Sequence, residues 1–438
     1  MDSGSESGFV GRVLLLGLLL RLAFLLFSIP LGLIYLHGDE IEVAWNLANG
    51  RGYSFDYYGL FSSTTTEGAF FPPVYVVNVY VLLRVFHSAL SVGFQNVLLS
   101  LAVAWLLFVF CKPLFGGTTA RVALLIAVLY PPFTTRITQG SPVYFKMFLM
   151  VLLVMVLQRV WTSSRFGTAF LGGVIAGLLA LTMPDVLLYL GLFVMAVLAG
   201  FYRPRRRFRI AVLLLLGAAL TIAPWTLRNW IRFQQFCLVS NNGGFNLYMG
   251  NNARTINEVQ YRNIVDLDGE LGGELARANE FGRDRILYRE SLRYIAQNPG
   301  IATRRFLERV VLHWAFRPYA LRAMATGRAG PNRGFAIYAW TYAASYALLL
   351  LLAVPGMVRS RQRWRELAPI WLALVYSTLV AALFVVQTKM RLIKVEPFLV
   401  VFAAVCFAAL ATGRPGRRRA AIPQRCAMDG RVSPTHLT

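Results

Sequence analysis

Three acids fall within four positions in the stretch His37-Gly38-Asp39-Glu40-Ile41-Glu42, in a chain of 438 residues that holds only 20 Asp and Glu. They stand where a long apolar run ends, so carboxylates gather at the edge of a hydrophobic segment. A carboxylate in that place can take a proton from an attacking hydroxyl as a general base. A second reading needs no chemistry: Asp39 caps a short helix running toward Asn49, Gly50 ends it, and the helix dipole favours acids in the first turn. Groups able to face an anion stand further along. Arg228 and Asn229 close the run PWTLRN, and Lys389, Arg391 and Lys394 lie in KMRLIK before the last apolar block. An Arg fork meets a phosphate bidentately and Lys meets it as a point charge; the competing reading is that these side chains snorkel to lipid headgroups. Asn251 and Asn252 end the Gly/Asn-rich stretch NNGGFNLYMGNN. That stretch is no phosphate loop, because no Gly-Lys-Ser/Thr comes after it. It is either a turn or a substrate-facing loop.

The elements that must hold these residues are set by composition. Hydrophobic residues make up 57% of the chain and charged ones 15%, too little polar surface to cover a soluble domain of this size. The apolar residues come in blocks of about 17–25, the length that carries a helix across roughly 30 Å of hydrocarbon. Lipid leaves backbone polar groups unsatisfied unless the spans are helices or a closed barrel, and blocks this continuous are not barrel strands. Spans are expected near 13–36, 93–111, 119–135, 143–159, 167–182, 185–201, 210–230, 335–357, 367–387 and 393–412. The fold class is therefore all-α and polytopic, with about 10–11 transmembrane helices plus juxtamembrane helices. The first block is too long for the core of a signal peptide and is expected to stay as the first span. Arg21, within it, is expected to reach the cytoplasmic interface.

Loop charge orients the spans. The basic loops Arg159–Arg165, Arg203–Arg209, Arg359–Arg365 and the tail Arg414–Arg419 belong on the cytoplasmic side. With the N-terminus inside, ten spans place all of them there, provided that the ambiguous block 71–90, which opens on Pro72-Pro73, lies along or dips into the outer leaflet. Residues 37–92 and 231–334 then face outward. In the second segment, Glu274–Tyr294 has the spacing of a solvated helix and Pro299–Pro318 that of an interfacial amphipathic one. The chain thus divides into an N-terminal transmembrane module, 1–230, carrying the outer loop 37–92; an extracytoplasmic segment, 231–334; C-terminal helices, 335–412; and a basic tail, 413–438. Asp185 and Arg136 fall near outer span ends, where no internal partner is required.

Net charge is +24, with 44 Lys and Arg. No nucleic-acid motif accompanies it, and anionic headgroups account for it. Cys111, Cys237, Cys406 and Cys426 are scattered without metal or disulfide spacing.

The acid cluster and the segments downstream of it resemble the GT-C glycosyltransferases, in the branch of protein O-mannosyltransferases and lipid A aminoarabinose transferases. The likeness runs through GDEIEVAWNLANGRGYSF (38–55), EGAFFPPVYVVNVYVLL (67–83), LIAVLYPPF (125–133), GLLALTMPD (177–185), APWTLRNWIRF (223–233), NNGGFNLYMGNN (241–252) and KMRLIKVEPFLVVFAA (389–404), in order across nearly the whole chain. The resemblance implies a polyprenyl-phosphate sugar as donor, an acceptor hydroxyl of a glycan, lipid or protein, and an active site on the outer face of the membrane; basic residues that are nearly all Arg suggest a GC-rich genome and hence a bacterial cytoplasmic membrane. It makes Asp39 the candidate base with Glu40 orienting it or binding acceptor, and gives Arg228, Asn229, Lys389, Arg391, Asn251 and Asn252 to substrate binding. It implies inversion in a single displacement, with no cofactor beyond the donor. Many relatives carry a second acid within the region aligned with Thr134–Phe148; this chain has Arg136 and Lys146 there and no acid. With one acidic cluster, no tightly held divalent metal is expected. Two other readings stay open: a flippase or transporter of a lipid-linked glycan, and a catalytically silent scaffold.

Overall fold

The computed structural model describes residues 3–30, 38–55, 66–163, 165–201, 206–255, 270–315 and 333–412. His37 and the tail 413–438 lie outside them. The chain is a polytopic, all-α membrane protein: ten of its helices match the ten apolar blocks, and the described residues contain one two-stranded antiparallel ribbon, Ser54–Phe55 with Thr66–Glu67. Five helices are long and apolar enough to cross a bilayer alone: Gly4–Ser28, Leu90–Phe115, Val143–Ser163, Arg207–Phe233 and Ala336–Arg363. The bent pair Thr388–Lys394 and Glu396–Ala411 makes a sixth. Phe166–Ala180, Ala368–Leu383 and Gly117–Leu129 are shorter apolar helices. The first helix begins at Ser3 and ends at Ser28, earlier at both ends than its apolar block.

Most of these helices share one apolar core, which runs from Val13 to Ala404 and so joins the C-terminal helices to the N-terminal ones. Helices Phe166–Ala180 (α8) and Arg207–Phe233 (α10) meet backbone to backbone. A methyl group on Gly173 would overlap the Leu214 carbonyl, and one on Gly217 the Phe170 carbonyl. Small residues at this spacing let membrane helices close up where no hydrophobic drive separates protein from lipid.

Arg21 corrects the sequence reading. Its side chain does not reach an interface; it is fully buried between helices, with Nε donating to Ser100 Oγ at 2.7 Å. Its guanidinium also donates to the carbonyls of Val128 (3.2 Å) and Ala127 (3.4 Å). Those are the two carbonyls whose helical donors would be residues 131 and 132, and both are proline. Proline has no N–H to give, so Pro131-Pro132 leaves two orphan acceptors inside the bundle and Arg21 satisfies them. Asp185 is a second correction. It is tied internally, accepting from Tyr376 OH at 2.9 Å and ion-paired with buried Lys394. One carboxylate thereby joins the start of helix Val186–Ala196 to the middle of Ala368–Leu383 and the end of Thr388–Lys394.

A second, smaller core lies beside the first. It gathers Ile41, Val43 and Ala44 from helix Asp39–Ala48 (α2), Tyr75, Val76 and Val79 from helix Pro73–Phe86 (α3), and Phe245, Met249, Ile286 and Leu287 from the segment after α10. The ambiguous block is thus a separate 14-residue helix, opened by Pro73 and closed by His87 at φ 52°. It packs against the outer elements. Within 231–334, Glu280–Gln297 and Pro299–Trp314 are helices. The second buries Arg309 and His313 while Leu307 and Val311 are exposed, and Arg304 with Glu308 keeps a polar strip on its surface, the mixed face of an interfacial helix.

Candidate active site

The acid pair opens α2 directly. The Gly38 carbonyl accepts from the Ile41 and Glu42 amides at 3.0 and 2.9 Å, starting the helix without a side-chain cap on Gly38. Asp39 is thus the first helical residue, and the capping reading of its side chain does not apply to the residue that precedes the helix. A Cβ at position 38 would stand 2.5 Å from the Gly140 carbonyl, so the missing side chain lets the start of α2 abut the turn 136–142. Helix Leu90–Phe115 (α4) fixes that turn: the Asn96 amide donates to the carbonyls of Ile137 (3.2 Å) and Gln139 (3.1 Å). Arg136 donates to Gln139 Oε1 at 3.1 Å.

The turn leads into helix Val143–Ser163 (α7), whose first turn carries Lys146. Lys146 Nζ lies 3.4 Å from Glu40 Oε1, with the two side chains 10% and 17% exposed. Lys389, half-buried on the short helix Thr388–Lys394, completes the group, and the charges of Glu40, Lys146, Asp39 and Arg136 all act on it. Tyr53 and Tyr75 also feel the Glu40 charge. Two carboxylates and three cations, drawn from three separated stretches of sequence, therefore share one neighbourhood. Cations beside a carboxylate stabilise negative charge that develops nearby.

The other candidate residues stand elsewhere. Arg228 lies over Trp225 at 4.7 Å and donates to the Gly68 carbonyl and to Asn229 Oδ1. Asn229 is wholly buried and donates to the Cys237 carbonyl; Arg228 thus ties the outer loop to the end of α10, and Asn229 ties down the stretch that follows it. Arg391 is buried, stacked 3.6 Å from the Tyr346 ring, ion-paired with Glu396 at 3.3 Å, and donates to the carbonyls of His313 and Ala315. Asn251 donates to the carbonyls of Leu247 and Leu383 and accepts from Arg309. Asn252 shapes a turn: Nδ2 donates to the Tyr248 carbonyl and Oδ1 accepts from the Arg254 amide. Of the eight residues singled out in the sequence, Asp39, Glu40 and Lys389 come together, and the other five stand apart from them with hydrogen bonds of their own.

Two carboxylates hold the outer layer together. Glu280 Oε1 accepts from the Ala69 amide at 2.7 Å, and a side chain at Gly68 would collide with the same carboxylate. Asp284 Oδ1 accepts from the Gly244 amide at 2.7 Å, at the start of helix Gly243–Gly250 (α11). Burial raises both acids above their ordinary range, Asp284 to about 6.

Sequence reasoning singled out Lys146 and Arg136 as departures from a family pattern but did not assign them to the site. The signal was present: two cations on the turn and helix start where the resemblance leads one to expect an acid.

The chain's likeness to known proteins lies in its fold. No protein-family model matches it, and no curated protein matches by sequence. Solved structures of the Archaeoglobus fulgidus oligosaccharyltransferase do. The form in complex with Zn and sulfate superposes with a TM-score of 0.52 at 13% identity, covering 92% of this chain and 49% of that one. AglB, the oligosaccharyltransferase in complex with an inhibitory peptide and a dolichol-phosphate, gives 0.52 at 13%, covering 94% and 52%. The form tethered to an acceptor peptide gives 0.53 at 11%, covering 94% and 50%. The chain shares the fold of this membrane oligosaccharyltransferase and spans about half the length of the solved structures it matches.

Proposed function

We propose that this chain is an inverting glycosyltransferase that moves a sugar from a polyprenyl-phosphate carrier to an acceptor hydroxyl at the outer face of a bacterial cytoplasmic membrane. The observation that carries the reading is the meeting of Asp39 and Glu40 with Lys146, Lys389 and Arg136 at the start of α2. The fold supports it, and so does the dolichol-phosphate held by the oligosaccharyltransferase it resembles. In the proposed step the acceptor oxygen bonds to the anomeric carbon while the bond from that carbon to the phosphate oxygen breaks. The electron pair stays on the phosphate, and the hydroxyl proton passes to Asp39. Glu40, held by Lys146, positions the acceptor or the base. One displacement inverts the anomeric centre. The outer segment 231–334 contributes the wall against which an acceptor is chosen, whether glycan, lipid or protein.

The test uses purified full-length protein in nanodiscs, a panel of polyprenyl-phosphate sugars, and release of polyprenyl phosphate as readout. Removal of a general base costs about 10²–10⁴ in rate, and Asp39→Asn is expected to lose at least ~100-fold. Turnover unchanged in Asp39→Asn would remove Asp39 as base and leave the reaction class standing. Absence of turnover across donors and acceptors would turn the reading toward a scaffold or a carrier of lipid-linked glycans.

A further inference from the structure

We propose that Lys146, Lys389 and Arg136 form a clamp for the phosphate of a lipid phosphate, in the place where a divalent cation would otherwise balance the charge. The inference deepens the glycosyl-transfer reading and rests on it for the reaction, though not for the binding.

The charges around the acid pair suggest a match. Three cations stand with two carboxylates in a half-buried site, which leaves one positive charge in surplus. A sugar phosphodiester carries one negative charge. When the sugar leaves, the phosphate becomes a monoester and gains a second negative charge, while Asp39 takes the hydroxyl proton and loses one. Negative charge moves from carboxylate to phosphate, and its total across the site is unchanged. The three cations therefore neutralise the site before and after transfer, and fixed charges that need no rearrangement during the step are the arrangement that favours it.

Arg136 adds an independent observation. Its Nε is buried and has no hydrogen-bond partner among the described residues. A buried donor without an acceptor is rare in folded proteins, and an oxyanion beside Arg136 would supply one.

The residues do not fit a divalent metal. Among the described residues no group of three His, Cys, Asp or Glu converges on one point. Glu40 is already ion-paired with Lys146, so a metal would have to displace an ammonium group and would add two charges to a surplus that is already positive. Hard cations need several oxygen ligands, and this cluster offers two carboxylates with cations between them.

The experiment measures binding apart from turnover. Full-length protein in phosphatidylcholine nanodiscs receives polyprenyl phosphate in the disc, or inorganic phosphate in the buffer, each with EDTA and then with Mn²⁺. The expected result is lipid-phosphate binding that survives EDTA and gains nothing from Mn²⁺, with inorganic phosphate bound far more weakly. Lys146→Gln and Lys389→Gln are each expected to weaken it at least tenfold while melting near wild type. If Lys146→Gln fails to fold because Glu40 loses its partner, Lys146→Arg keeps the charge and must restore binding. Wild-type binding lost in EDTA and recovered with Mn²⁺ would overturn the clamp, as would undiminished binding by folded Lys146→Gln and Lys389→Gln. Inorganic phosphate bound as tightly as the lipid would overturn the lipid headgroup as ligand. Donor turnover that requires Mn²⁺ defeats the clamp but leaves the transferase reading intact. Chelator-resistant binding without turnover of any donor does the reverse.

Discussion

At the scale of single residues, the chain uses its ionisable groups in two ways. Some meet at α2, where they face the cluster of opposite charge; others sit deep in the bundle and serve the backbone. Arg21 is the clearest of the second kind, because Pro131-Pro132 leaves the Ala127 and Val128 carbonyls without donors. Arg21→Met is expected to destabilise the protein by about 1–3 kcal/mol per orphaned acceptor, read as a lowered melting temperature in detergent. Its cost should shrink when combined with Pro131→Ala, which returns an N–H to the Ala127 carbonyl; a double-mutant cycle measures that coupling. Costs that simply add would remove the capping role. Asp284 gives a pH dependence. Its folded pKa is raised to about 6 by burial, so the stability it contributes is complete below the ordinary carboxylate value of ~4 and is lost as pH rises through about 6. Hydrogen exchange of the α11 amides should therefore be slower at pH 5 than at pH 7 after correction for intrinsic rate, and Asp284→Asn should shrink the difference. Legibility at this scale was uneven. The acid pair was readable because three acids in four positions are conspicuous in so apolar a chain. Arg228, Asn229, Asn251 and Asn252 looked equally available, yet each donates to a backbone carbonyl, and Arg228 and Asn251 reach the distant Gly68 and Leu383 carbonyls that only the folded chain brings near.

At the scale of elements, apolar block length was a faithful guide to where helices lie and a poorer guide to where they end. Residues 3–12 extend the first helix although they are not apolar, since Ser, Glu and Gly outside the hydrocarbon cost a helix little once the following turns are fixed. Glycines in an apolar helix look alike in sequence and differ in what their missing side chain admits. Gly173 and Gly217 sit at the α8–α10 contact, whereas nothing lies within 4 Å of a Cβ added at Gly191. Gly173→Leu is expected to cost at least the ~1–3 kcal/mol of core overpacking and to cut the yield of folded protein. Gly191→Leu should purify and melt like wild type. Similar behaviour in the two variants would mean that the close approach does not hold the bundle together.

For the whole molecule, the arrangement of charge makes a prediction about sides. The basic loops read as cytoplasmic and the segment around Glu280–Gln297 as external. The described cysteines, Cys111, Cys237 and Cys406, are buried, so they give little background to an impermeant maleimide once Cys426 is replaced. Arg293→Cys, on an exposed turn of Glu280–Gln297, should label in intact cells or spheroplasts. Ser163→Cys, at the end of α7, should label only after permeabilisation. The opposite pattern would invert the topology and place Asp39 toward the cytoplasm. The two apolar cores divide the molecule otherwise than the sequence suggested: helices after 333 belong to the same core as the first two hundred residues, and the outer layer builds its own around α2 and α3.

The cations beside Asp39 and Glu40 are far apart in the chain, and that has a consequence for biosynthesis. Lys146 emerges soon after the acid pair, but Lys389 comes roughly 240 residues later, on the order of ten to fifty seconds at ordinary elongation rates. Throughout that interval the nascent chain holds its acids with an incomplete set of counter-charges. A ribosome that stalls before the last helices leaves a membrane-inserted fragment in which this cluster is unfinished. Only completion of the chain brings the last of its counter-charges into place.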